Sequence, residues 1–356
     1  MRNENSVCQI LRQVAPGMGL REGLDNVLRA KTGALIVIGN VEEMKSLIDG
    51  GFYLDCDMTP ANLYELAKMD GAIIISEDGK RILFANTLLI PDATISSSET
   101  GIRHRTAERV AKQTKQLVVS ISQRRNVITL YKGNWRYALK DIGEILGKAN
   151  QAVQTLDKYK TVLNKALNNL SALEFEDIVT LHEVAIVIQR IEMVLRVKEE
   201  IERYIIELGT EGRLISMQME ELVAGVELES YLLIKDYCNE IRQNHVHEML
   251  KKELKSLTSD ELLEADNIIR ILGYPIGPNI GDQLVYSRGF RALTKIPRLP
   301  ITVIDNMIDQ FGTLSNIIRA SIDELNQVEG IGVVRAKAVI DGLRRIREQV
   351  FFERHI

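Results

Sequence analysis

The sequence predicts a multidomain chain: an N-terminal α/β (α+β) domain over residues 1–145, a central all-α helical spine over 146–284, and a C-terminal module of short helices over 285–356. Three observations predict it. Short β-branched apolar runs alternate with amphipathic stretches up to about residue 140. The apolar spacing then changes to three and four, and beyond residue 285 the helical segments are cut short at Gly and Pro.

In the first part the candidate strands are Gly33–Gly39, Ala72–Ser76, Arg81–Ala85, Leu117–Ser122 and Val127–Tyr131. The candidate helices are Leu20–Ala30, Ala61–Met69 and Arg103–Thr114. Asp78 and Gly79 lie between two strands and both tolerate positive φ, so a primed hairpin turn is expected there. Further on, Leu156, Tyr159, Leu163, Ala166, Leu170 and Leu173 repeat at heptad spacing. Val184, Val187, Ile191, Val194, Ile201, Ile205 and Leu208 form a second seam, interrupted by Lys198, a polar residue able to set register. Antiparallel helices would bury both seams, and the stretch reads as a spacer or oligomerisation element without a catalytic pattern.

A composition of 45% hydrophobic and 26% charged residues excludes a disordered chain. No apolar run approaches the ~18 residues that a membrane span needs. Met1-Arg2-Asn3-Glu4-Asn5 leads into nothing like a signal peptide, so a cytoplasmic protein without membrane association is expected. Cys8, Cys56 and Cys238 are scattered and odd in number, which fits buried free thiols better than a disulfide or zinc framework. The net charge of −4 hides two basic segments. Residues 103–125 hold seven Lys/Arg against Glu108 alone, and residues 285–356 hold eleven against eight acids. Positive charge gathered twice on an otherwise acidic chain points to two sites for anions.

The C-terminal site is the more explicit. Leu325 to Ala338 has the form of a helix-hairpin-helix: a helix ends near Val328, Gly330 and Gly332 flank Ile331 in a turn that a Cβ would obstruct, and a new helix starts. Its unpaired N–H groups and positive dipole end can hold a phosphate, with Arg335 and Lys337 in reach. Such contacts read no bases, so binding would be independent of sequence and sensitive to salt. Ile296-Pro297-Arg298-Leu299-Pro300 occupies the hairpin of a degenerate second copy, whose prolines lack the N–H groups of a phosphate nest and make it a packing partner. Both hairpins could also serve protein contacts alone.

In the first domain, Asp70-Gly71-Ala72 lies where a helix meets a strand. A carboxylate beside a glycine there can bind a divalent metal or take a proton from a hydroxyl, although Asp-Gly is also a common turn. Thr100 is a candidate cap for a helix whose first turn carries Arg103, His104 and Arg105. Three basic residues oppose the dipole at that end unless an anion is held, and guanidinium groups suit a polyphosphate. Pairing of these arginines with Glu99 and Glu108 on a solvated face is the alternative. His182, His245, His247 and His355 receive no role.

Over nearly its whole length the chain resembles the DNA integrity scanning proteins, a family of bacterial diadenylate cyclases. The resemblance rests on Leu63 to Ala72, on Arg103 to Thr114, on Ser122-Gln123-Arg124-Arg125-Asn126, and on the helix-hairpin-helix end in the expected order. It implies condensation of two ATP into cyclic di-AMP and two pyrophosphates with Mg²⁺ or Mn²⁺. It also implies a homo-octamer in which cyclase sites face each other, and a C-terminal DNA-binding domain for branched or damaged double-stranded DNA that lowers the activity. By position, Asp70 would bind the metal and help activate the ribose hydroxyl, and Gly71 and Ala72 would let the nucleotide lie close. Arg103, His104 and Arg105 would grip phosphates, Thr106, Ser122 and Arg125 would line the pocket, and Leu89 would pack on the base. The family usually carries threonine at the position of Ile102, so one hydroxyl contact to the ligand is expected to be missing. A non-enzymatic, nucleotide-responsive DNA-binding scaffold and a hydrolase at the same phosphate site are the competing readings. The joint presence of Asp70 and the arginines opposes the first, and the lack of a further carboxylate for a water opposes the second.

Overall fold

Where apolar runs are continuous rather than alternating, both faces of a sheet must be covered, and the computed structural model shows how. It describes residues 2–239, 246–275 and 277–354. Contacts divide the chain into one unit of residues up to Gln151 together with Glu202–Ser216, and a second of Ala152–Ile201 together with Met217 onward. His245 and His355 lie outside the described residues.

The first unit contains α1 (Arg2–Gln13), α2 (Gly19–Arg29), β1 (Ala34–Ile38), β2 (Ile48–Asp49), β3 (Phe52–Asp57), α3 (Pro60–Leu66), β4 (Ala72–Ile75), β5 (Arg81–Leu89), α4 (Ile102–Thr114), β6 (Leu117–Ser122), β7 (Val127–Lys132) and β8 (Trp135–Ala138). The sheet runs β2-β5-β4-β1-β6-β7-β8, with β3 also on β5. Only β1 and β4 pair in parallel, with Leu35 opposite Ala72. Ile36, Ile38, Ile73, Ile75, Val119 and Ile121 pack with Leu20, Leu24 and Val27 of α2 and Leu63 of α3. The alternate residues Leu35, Val37, Ile74 and Val118 pack with Ala107, Val110 and Ala111 of α4. Period-two alternation thus serves two cores, which is why β1 and β4 are buried at every position.

The turn at Asp78-Gly79 is not primed: only Gly79 has positive φ (+72°). The Asp78 carboxylate accepts from the Ser76 hydroxyl and the Lys80 N–H, and the Gly79 N–H donates to the Ser76 carbonyl, so the side chain stabilises a longer loop. None of the three cysteines forms a disulfide, and only Cys238 is buried, with Cys8 and Cys56 half-buried.

Helices α5 (Ile142–Glu176) and α6 (Leu181–Leu208) each contribute residues to both units, and α7 (Arg213–Val223) follows. The second unit continues with α8 (Val226–Tyr237), α9 (Val246–Ser256), α10 (Ser259–Leu263), α11 (Ala265–Ile271), α12 (Phe290–Thr294), α13 (Ile301–Phe311), α14 (Leu314–Arg319), α15 (Ile322–Leu325) and α16 (Val333–Arg354). Leu156, Leu163, Leu170, Val184, Val187, Ile191 and Val194 of the two seams are buried, whereas Tyr159 is exposed. Lys198 pairs with Glu227 of α8 at 2.9 Å.

The two hairpin copies share one core, with Leu293, Ile296, Val303 and Ile304 packed among Leu325, Val328, Ile331, Ala336 and Val339. This core is fastened to α8 by buried charge. The Asp236 carboxylate accepts from the N–H groups of Gly289, Phe290 and Arg291 and so caps α12. Arg291 pairs with Glu174 and Glu229, and Arg288 donates to the last carbonyls of α8.

Candidate functional site

Chain direction at the end of α3 is reversed through Gly71, whose φ is +91°. A Cβ there would lie 2.8 Å from the backbone carbon of Asn86 and 2.8 Å from the carbonyl oxygen of Thr87. The glycine is therefore required by the approach of β5, before any ligand is considered. Asp70 precedes it and is exposed.

Beyond Gly71 opens a cleft of about 390 Å³. It brings together Gly71, Ala72, Leu89, Ile102, Arg103 and Thr106. Leu35, Thr87 and Leu88 complete its lining and were missed by sequence reasoning. All three arrive by strand register: Leu35 is the parallel partner of Ala72, and Thr87 its antiparallel partner, whose hydroxyl donates to the Ala72 carbonyl at 2.8 Å. Asp70, His104, Arg105, Ser122 and Arg125 do not line the cleft.

One wall is the start of α4. Its cap is Gly101 and not Thr100, without a side-chain cap bond and without an acidic residue in the first turn. The first-turn N–H groups thus meet no capping acceptor, and the positive end of the helix dipole faces the cleft that Ile102 and Arg103 line. Thr100 takes another part: its hydroxyl accepts from Arg125 Nη2 at 3.4 Å. Arg105 leans toward the carbonyls of Glu99 and Thr100, and the Arg125 N–H donates to the Ser122 hydroxyl. Arg103 is exposed and has no hydrogen-bond partner among the described residues. Its guanidinium lies across Gly33, where a Cβ would come within 2.0 Å of Nη1. Gly33 is a further residue to which the sequence assigned no part in the site.

Other members of the basic segment have structural work. Arg109 donates to the Ile95 carbonyl, and Lys112 donates to that of Ser96 while pairing with Glu108. Glu108 accepts from the Ser97 hydroxyl and the Ser98 N–H. These three hold the 95–98 loop against α4.

His104 is buried, at 8% exposure, with Nδ1 2.9 Å from the Tyr131 hydroxyl. Tyr131 donates to Glu99 Oε1 at 2.8 Å, and Arg136 Nε donates to the same oxygen at 2.6 Å. Burial works to raise the Glu99 carboxyl, but the bonds from Arg136 and Tyr131 outweigh it and hold it below the usual carboxylate range. Burial pushes the His104 imidazole down; Glu99 opposes this, and Arg125, Arg136 and Arg103 reinforce it. His104 is thus buried against Tyr131, whereas Arg103 and Arg105 are exposed.

At the other candidate site, Gly330 has φ +83° and faces Val303 Cγ2, where a Cβ would stand at 3.0 Å. A Cβ on Gly332 would meet nothing within 4 Å. Ile331 is buried between them. Arg335 Nη1 donates to the Gly330 carbonyl at 2.6 Å, and the Ala336 N–H to that of Gly332 at 2.9 Å, starting α16. Lys337 is exposed, as are Val333 and Val334. The upstream hairpin packs through Ile296 under Gly342 of α16.

Among the described residues no group of three His, Cys, Asp or Glu is placed to hold a metal ion. No described helix is long and apolar enough to cross a membrane.

Comparison with known proteins matches residues 21–135 to the DisA bacterial checkpoint controller nucleotide-binding family, 139–280 to the DisA bacterial checkpoint controller linker region, and 313–342 to the helix-hairpin-helix motif. The DNA integrity scanning protein DisA of Bacillus cereus (strain B4264) is 58% identical over 350 residues, covering 98% of this chain and 97% of its own. That of Bacillus mycoides (strain KBAB4) is 58% identical over the same shares. Among solved structures, DacA from Staphylococcus aureus is 20% identical over 40% of this chain and 91% of that one, at a TM-score of 0.28, too low a likeness to bear on the fold. With a nucleotide-binding domain, a linker and a helix-hairpin-helix motif in that order, and with relatives of this identity over almost every residue, the chain belongs to the family of DNA integrity scanning proteins.

Proposed function

We propose that the chain is a diadenylate cyclase, a nucleotidyltransferase that condenses two ATP into cyclic di-AMP and two pyrophosphates, and that its C-terminal module engages branched or damaged double-stranded DNA. The cleft between Gly71-Ala72 and the uncapped start of α4 carries the reading. It offers apolar surface in Leu35, Leu88 and Leu89 for a base, and N–H groups with Arg103 for phosphates.

In each of two identical steps a ribose 3′-hydroxyl attacks the α-phosphorus of the other ATP. A phosphorus–oxygen bond forms, the bond to pyrophosphate breaks with its electron pair, and the hydroxyl proton leaves to a base or solvent. Such transfers are won by alignment and charge neutralisation, which the helix terminus and Arg103 supply here. A second subunit must present the second ATP, so the working form is an oligomer, and the family resemblance supports a cytoplasmic homo-octamer.

The donor set fits Mg²⁺ or Mn²⁺ as a nucleotide-borne ion: Asp70 is an exposed carboxylate that belongs to no group of three His, Cys, Asp or Glu among the described residues, and the remaining positions would fall to phosphate oxygens and water. When bound, the ion would neutralise phosphate charge. Thr106 lines the same cleft, and Arg105 and Arg125 steady the Glu99–Thr100 turn that precedes α4.

The test is purified chain with ATP and Mn²⁺, products separated by chromatography with mass detection, beside Asp70→Asn. Cyclic di-AMP from the native chain, reduced at least about a hundredfold in the variant, is expected, on the scale of losing one preorganised charge contact in a transition state. Linear products or AMP would establish hydrolysis instead, and no product from folded oligomer would leave a nucleotide-responsive scaffold. Adding junction DNA at saturation is expected to lower the rate; an unchanged rate with DNA bound would exclude coupling between the two sites.

A further inference from the structure

Helix α4 ends at a second concave surface, far from the cleft at its start. A pocket of about 460 Å³ opens where the last turn of α4 meets the β7–β8 hairpin and α1. Lys112, Lys115 and Lys132 line it together with Trp135 and with Val7 and Ile10 of α1, and no acidic residue is in the lining. The helix has 13 residues, so at ~1.5 Å per residue about 20 Å separates the end that borders this pocket from the end that borders the cleft.

Helix physics explains part of this charge. Lys112 and Lys115 sit at the negative end of the dipole, and Lys112 also pairs with Glu108 and donates to the Ser96 carbonyl. The remainder has no such reason. The Ala111 carbonyl at that end already accepts from the backbone N–H groups of Lys115 and Gly133, at 2.9 and 3.1 Å, which fills both of its lone pairs. Lys132 belongs to β7, where it pairs with Trp135 across the two-residue turn of Gly133 and Asn134. Neither the Lys115 nor the Lys132 ammonium has a hydrogen-bond or ion-pair partner among the described residues. Like charges gathered in one concavity repel, and an anion held among them removes that repulsion.

Trp135 adds a flat apolar wall. Its ring stacks on that of Tyr137, with centroids 5.7 Å apart and planes 2° from parallel, and the Tyr137 hydroxyl donates to Glu207 at 2.6 Å, so the indole is held in place by its neighbour. The volume lies within the ~300–1,000 Å³ of small-ligand sites. We propose that this pocket is a ligand site separate from the cleft and that it takes a nucleotide: Lys115 and Lys132 meet the phosphate as point charges, and Trp135 is the surface for the base. The site stands on its own lining and does not depend on the cleft being that of a cyclase.

The chain contains one tryptophan, so its fluorescence reports on this pocket. Titration of AMP into the full chain is expected to change that fluorescence to saturation. Adenosine, which lacks the phosphate, and inorganic phosphate, which lacks the ring, are each expected to bind at least about tenfold more weakly than AMP. The double variant Lys115→Gln/Lys132→Gln should lose at least about tenfold in affinity for AMP, whereas Lys132→Arg, which keeps the charge, should stay within about threefold of the native chain. Arg103→Ala, in the cleft, should leave the midpoint where it is. No fluorescence change up to millimolar AMP, a change that is lost in Arg103→Ala, or undiminished affinity in the double lysine variant overturns the proposal. So does equal affinity for phosphate and AMP, which would make the pocket a site for the bare anion. A chain that makes no cyclic di-AMP yet responds to AMP in this way would lose the cyclase reading and keep this one.

Discussion

The helix that starts after Gly101 and the helix that starts after Gly332 both lack an acidic residue in the first turn and carry arginine near the N-terminus. Their surroundings differ. At α4 the terminus borders a concave cleft of about 390 Å³ with leucines in its walls, and the turn before it is fixed by Arg105, Arg125, Tyr131 and Arg136. At α16 the terminus lies in an exposed turn, with Val333, Val334, Arg335 and Lys337 open to solvent. Helix physics favours an anion in both places, but a walled site would select one small ligand and an open one would accept a polymer backbone.

The glycines separate the two further. Gly71 is demanded by the protein's own backbone, whereas a Cβ on Gly332 would enter open space, so no contact within the described residues requires that glycine. Gly71→Ala is expected to destabilise the fold by about 1–3 kcal/mol through strain at positive φ and contact with β5, read by urea denaturation. Gly332→Ala is the control, with a loss of up to ~1 kcal/mol from the poorer helix cap. Equal stability of native chain and Gly71→Ala would show that β5 can yield, and would return the glycine to the ligand.

Legibility in the sequence follows burial on two faces. The runs that became β1, β4, β6 and β7 are rich in β-branched and other apolar residues because cores lie on both sides. Edge strands left little trace: β2 has two residues, and β3 is bulged between Tyr53 and Cys56, with Asp55 at positive φ and almost every position exposed. Strand β5 runs past the expected end at Ala85, hidden by the positive φ of Asn86, and that extension brings Thr87 and Leu88 to the cleft. Motif residues contiguous in sequence, such as Ile102 and Arg103, were accessible to reading. The burial of His104 was not, because its partner Tyr131 arrives from β7, and Glu99, bonded to Tyr131, from the loop before α4. Nor does a run of seven basic residues announce that Arg109 and Lys112 hold a loop while Arg103 is free to meet a ligand.

Ile102 tests how selective the walled site is. It is 85% exposed at the first position of α4 and lines the cleft, so its side chain contributes little to the core. Ile102→Thr should leave stability within about 0.5 kcal/mol. A hydroxyl at that point can meet a ligand oxygen, and a net gain of about 1 kcal/mol, roughly fivefold in affinity for an ATP analogue, is expected by calorimetry. Weaker binding would mean that the ligand uses the apolar surface of Ile102, and the wall would then select by shape and not by hydrogen bonding.

Lys337 tests the open site with the smallest change. Arg335 donates to the Gly330 carbonyl, so its removal would disturb the hairpin along with the charge. Lys337 is exposed two residues further along α16 and can be replaced without touching the turn. If it meets a phosphate, Lys337→Ala releases one fewer counterion, and the slope of log affinity against log salt becomes shallower by about 0.9. The loss should be the same on any DNA sequence, since a phosphate contact positions the duplex without reading it. A slope unchanged from the native chain would place the DNA backbone elsewhere, on Val333 and Val334 or on the upstream hairpin, and would remove the dipole of α16 from the account of binding.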